Sequence, residues 1–111
     1  MSISKQLNQL ASRNGWKKNE KEATVFGDYN GYLFTALEGK GFKTFITPVA
    51  GISPDSLAAM TRFLKEHSRQ LHLLSFDLSD NFLCLRQKEK LLPLSVDKME
   101  SLLGQISGLL D

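Results

Sequence analysis

The chain has 111 residues, 41% of them hydrophobic and 23% charged, with a formal net charge of +2. That is the balance of one ordinary globular domain, able to bury about two-thirds of the surface its unfolded form exposes, which excludes a disordered or low-complexity chain and any need for a disulfide or metal staple. A single cysteine, Cys84, excludes an intrachain disulfide, no apolar run nears the ~20 residues of a membrane span, and Met1 to Gly15 lack the apolar core of a secretory signal, so the expected location is the cytoplasm.

Ser2 or Ser4 can cap a first helix whose Ile3, Leu7 and Leu10 share a stripe, and Asn14-Gly15 stops it, with Trp16 expected to fold back on that helix. From Glu22 to Thr47 the chain is rich in Val, Phe, Tyr, Thr and Ile, and two turn signals, Asn30-Gly31 and Gly39-Lys40, divide it into a three-stranded meander. Ser53-Pro54 is an N-cap followed by proline, and Leu57, Met60, Phe63, Leu64 and His67 form one stripe of a second helix that runs to about Ser68. Leu71 to Leu78 and Phe82 to Gln87 read as a hairpin around Asp80-Asn81. After Pro93, Ser95 caps a last helix whose Val96, Met99, Leu102, Leu103, Ile106, Leu109 and Leu110 fall on one side.

The expected fold is therefore a single two-layer α+β domain over residues 1–111, complete or cut from a longer protein, with a twisted antiparallel five-stranded sheet and the order α-β-β-β-α-β-β-α. That order over the whole chain resembles the type III secretion chaperone-like fold, shared with a family of bacterial sensory-transduction regulators; the similarity is one of topology, without a diagnostic motif. The resemblance implies a homodimer that binds an extended segment of a client protein. The chaperone domains are usually acidic, whereas this chain is mildly basic.

Turn chemistry sets an expected register. A two-residue turn at Asn30-Gly31 opposes Tyr29 to Tyr32, Gly27 to Phe34 and Val25 to Ala36; a second at Gly39-Lys40 opposes Phe34 to Phe45, Leu33 to Ile46 and Leu37 to Phe42. Both faces are then apolar. The aliphatic one, with Phe26, Leu33, Leu37, Phe42 and Ile46, is assigned to the helix-covered core. The other, with Tyr29, Tyr32, Phe34, Lys43 and Phe45, is the candidate partner surface, the alternative being that a helix or the last hairpin covers it. A second candidate is a ridge of small residues on the last helix, Ser101, Gly104 and Gly108, opposite its apolar stripe and able to take another helix, or simply solvated.

No catalytic constellation, metal site or cofactor site is expected. His67, His72 and Cys84 lack zinc spacing; the hairpin sets Cys84 across from Asp77, whose carboxylate disfavours a thiolate; and Gly39-Lys40-Gly41 lies between strands rather than opening a helix, so it is a turn and not a phosphate loop. His67 reads as a packed or capping residue at the helix end. The expected function is a non-catalytic protein-binding or assembly module, partnered by protein or by itself as a homodimer. The alternatives are a small-ligand or nucleic-acid binding regulatory domain using the aromatic face, with the scattered lysines making nucleic acid the less favoured partner, and an enzyme using Cys84 or His72.

Overall fold

Three serines begin the three helices. Ser4, Ser53 and Ser95 each hold extended backbone, and their hydroxyls accept the amides of Leu7 (3.3 Å), Ser56 (3.2 Å) and Lys98 (3.2 Å). The helices that follow are α1 (Lys5–Asn14), α2 (Pro54–His67) and α3 (Val96–Leu110). Gly15 ends α1 in the left-handed region at φ +66°. The structure is a computed structural model describing residues 2–39, 41–88 and 94–111. Lys40, placed in the second predicted turn, and Pro93, placed before the last helix, lie outside those residues.

The strands are β1 (Lys17–Asn19), β2 (Thr24–Tyr29), β3 (Tyr32–Gly39), β4 (Phe42–Pro48), β5 (Leu73–Ser79) and β6 (Phe82–Lys88), in one antiparallel sheet of order β1-β2-β3-β4-β6-β5. Among the described residues the sheet thus has six strands rather than the expected five. The addition is β1, whose Lys-Lys-Asn carries no strand pattern and is extended because its backbone completes the edge of β2, with Lys17 opposite Phe26 and Asn19 opposite Thr24.

The first hairpin has the expected register, Tyr29 opposite Tyr32 and Val25 opposite Ala36, with φ +51° at Asn30 and +86° at Gly31 as a type I′ turn requires. The second hairpin is shifted by two residues. Gly39 opposes Phe42 and Ala36 opposes Phe45, because the positive φ falls at Gly41 (+81°) and Gly39 remains in its strand. A shift of two keeps together the residues expected to share a face. The last hairpin turns at Asp80 and Asn81, both at positive φ, and sets Asp77 opposite Cys84 as expected. Its first strand starts at Leu73 rather than Leu71. A register break between Leu73 and Ser75 leaves Leu74 48% exposed, while Leu71 is buried and its amide donates to the His67 carbonyl.

All three helices pack on one side. Leu7 and Leu10 of α1, Met60 and Leu64 of α2, and Met99, Leu103 and Ile106 of α3 share one core with Val25, Phe34, Ala36, Phe45, Leu83 and Leu85 of the sheet. Polar contacts fix how α3 lies. Arg13 at the end of α1 donates to Asp97 (2.6 Å) and Glu100 (2.8 Å), Asn30 donates to Ser107 (3.0 Å), and Tyr32 donates to Asp111 (2.6 Å). Among the described residues no helix is long and apolar enough to cross a membrane.

Candidate functional site: the open face of the sheet

Residues alternate between the two faces of a strand, so the core decides which side chains remain outside. Inside lie Val25, Phe34, Ala36, Phe45 and Leu85; outside lie Phe26, Leu33, Leu37, Phe42, Ile46 and Phe82, with no helix over them among the described residues. Leu33 is 49% and Phe82 48% exposed, high values for large apolar side chains in a sheet. The assignment of faces made from the sequence is therefore reversed. Phe34 and Phe45 are fully buried, Tyr29 and Tyr32 are half-buried against the same core, and Lys43 is 1% exposed, so the expected partner surface is the floor of the core.

What reverses it is the pairing of β4 with β6. Ile46 lies beside Cys84 and Thr44 beside Arg86, while Phe45 lies beside Leu85 and Thr47 beside Leu83. The two faces of the meander are almost equally apolar by themselves. Once β6 and β5 are added, Leu83, Leu85, Phe76 and Leu78 load one side, and Cys84, Arg86, Ser75 and Asp77 load the other.

The register gives the open face as rows across the strands. One row reads Lys17, Phe26, Thr35, Ile46, Cys84, Asp77. The next reads Asn19, Thr24, Leu37, Thr44, Arg86, Ser75. The centre is apolar or hydroxylic and the charges stand toward the margins, a patch rimmed by polar groups. The Arg86 guanidinium lies 5.6 Å from the Phe42 ring centre, which holds it over this surface.

Cys84 is half-buried in the middle of this face. Burial raises its thiol pKa, Asp77 raises it further, and Arg86 only partly offsets them, so the thiol is kept protonated rather than prepared as a nucleophile. The two histidines are elsewhere. The His67 ring stacks on Phe63 at 4.2 Å with its Nδ1 3.0 Å from the Phe63 carbonyl, a packed helix-end histidine, and His72 is exposed in the turn before β5. Among the described residues no group of His, Cys, Asp and Glu could hold a metal ion.

The small-residue ridge is not continuous. Gly104 sits at the margin of the buried side of α3, where an added Cβ would lie 3.9 Å from the Tyr29 ring, whereas Ser101 and Gly108 face solvent. The buried arc extends as far as Ser107, which accepts from Asn30, and brings Gly104 against β2. A further feature the sequence did not indicate is a small cleft of about 150 Å³ between the turn before β5 and α3, lined by His72, Gln87, Lys98, Ser101 and Gln105 among others. Gln87 is buried on its wall; its amide nitrogen donates to the Leu71 carbonyl (3.0 Å) while its oxygen has no hydrogen-bond partner among the described residues.

No protein-family model matches this chain, and no curated protein matches it.

Proposed function

We propose that the domain is a non-catalytic protein-binding or assembly module that makes its contacts through the open face of its sheet. The observation that carries the reading is the apolar centre left uncovered by three helices that all pack on the other side, with Leu33 half exposed within it. Each Å² of apolar area left exposed on such a face costs about 25 cal/mol in water, which burial under a partner recovers. The protonated thiol of Cys84 and the packed position of His67 favour binding over catalysis. The reading keeps the expected class of function and moves its surface to the opposite side of the sheet.

The test is photo-cross-linking. p-Benzoylphenylalanine replacing Leu33 should capture protein when the full chain is irradiated in cells, and the same group replacing Glu66, exposed on α2, should capture little. No adduct from Leu33, or equal capture from both positions, overturns the reading. A second reading is favoured by the Gln87 oxygen, which has no hydrogen-bond partner among the described residues and offers a small hydrogen-bond donor an acceptor in the cleft beside α3. A ligand that raises the melting temperature of the wild-type chain but not of Gln87→Leu would support it.

A further inference from the structure

The occupant of the open face can be argued from its charges. Resting on the reading of that face as a contact surface, we propose that its partner is a second copy of this chain, stacked face to face about a two-fold axis that runs along the mean strand direction between β3 and β4. Five strands about 20 Å long and a three-residue edge strand, spaced about 4.8 Å apart, present roughly 500 Å². Two such faces together bury about 1,000 Å², the size at which specific interfaces begin. Sheets stacked this way keep their strand directions within about 30° of each other.

The order of the sheet is what makes the surface complementary to itself. The axis places β3 over β4, β2 over β6 and β1 over β5 of the partner copy, because β3 and β4 are the two middle strands. The central row begins with Lys17 on β1 and ends with Asp77 on β5, both exposed. Each Lys17 therefore stands over an Asp77 of the other copy, and symmetry makes the contact twice. Between them Phe26 covers Cys84 and Thr35 covers Ile46, so the interior of this row is apolar, hydroxyl or thiol, and in the next row Arg86 of each copy faces Thr24 of the other. The other two-fold axis available to stacked faces runs across the strands. It would set β1 over β1 and β5 over β5, bringing Lys17 near Lys17 and Asp77 near Asp77, and the like charges disfavour it.

The arrangement is tested by charge reversal on the full chain, with the dimer dissociation constant read by analytical ultracentrifugation at low and at physiological salt. Wild type is expected to dimerise, and Leu33→Glu, at a half-exposed position that leaves the fold intact, to abolish the dimer. Lys17→Glu and Asp77→Lys should each weaken it about 10-fold at low salt and less at physiological salt, since each turns two attractions into two repulsions. The double variant Lys17→Glu with Asp77→Lys should recover wild-type affinity, because each attraction across the interface is then restored with its two signs exchanged. A double variant no tighter than the singles overturns this axis, and a dimer insensitive to Leu33→Glu overturns the interface. A chain that stays monomeric up to millimolar concentration overturns the self-partner; cross-links from Leu33 to a different protein would then leave the reading of the face standing and fill it with a client instead.

Discussion

Gly27 illustrates how a close approach can be converted into a measurable loss. On β2 it sits on the helix-covered face opposite Phe34, and the Trp16 indole lies against it so closely that an added Cβ would overlap the ring's Cγ and Cδ1. Trp16 is 7% exposed, and its indole N–H donates to the Asp28 carbonyl at 2.8 Å, so the ring has little freedom to retreat. Gly27→Ala must therefore displace the indole. Complete loss of a buried tryptophan costs about 3–5 kcal/mol, and a displacement that keeps part of the contact while breaking the hydrogen bond should cost about 2–4 kcal/mol. Trp16 is the chain's single tryptophan, so its fluorescence reports the event directly: the variant's emission should shift to longer wavelength in the folded state while urea unfolding followed by circular dichroism gives the loss of stability. The cause is isolated by a double-mutant cycle. With Trp16→Ala in place, Gly27→Ala should cost less than about 0.5 kcal/mol, since there is no ring left to displace. Additive losses, or a Gly27→Ala variant with unchanged emission and stability, would refute the reasoning.

The assignment of the two faces makes opposite predictions for residues that look alike in the sequence: Phe45→Ala should cost about 3–5 kcal/mol, whereas Leu33→Glu should leave the thermal unfolding of the monomer nearly unchanged. Lys43 is buried 4.0 Å from Glu38, and burial lowers its pKa while Glu38 only partly compensates. Its folded value lies below the unfolded one, so between the two the unfolded chain binds more protons; stability should rise as pH increases from 7 toward about 10, and Lys43→Met should flatten that slope in urea titrations. On α3, Gly108→Ala should raise stability by about 0.8–1.0 kcal/mol, since its Cβ would meet open space, while Gly104→Leu should lower the melting temperature by pressing on Tyr29.

Local chemistry was legible residue by residue. The serine caps, the stop at Gly15, Pro54 at the start of α2 and the positive φ at Asn30-Gly31 and Asp80-Asn81 all lie where a few neighbouring residues decide the backbone. The pairs set by those turns, Tyr29 with Tyr32 and Asp77 with Cys84, followed from the sequence for the same reason. The second hairpin did not, because Gly39 and Gly41 both permit a turn, and the pairing of Ala36 with Phe45 settles which one supplies the positive φ. β1 was invisible, since Lys17–Asn19 is extended only by virtue of the unpaired edge of β2 beside it.

The candidate site was the least legible part. Both faces of the meander carry Phe, Tyr, Leu or Ile at alternate positions, so no period-2 pattern within β2 to β4 distinguishes inside from outside. That choice belongs to β6, which follows a whole helix and another strand in the chain, yet lies beside β4 and brings Leu83 and Leu85 to one side and Cys84 and Arg86 to the other. Side-chain alternation is a property of the individual strand and can be read from it. Which face three helices then cover is decided by the summed apolar area of six strands, and that sum exists only once the long-range pairing has formed.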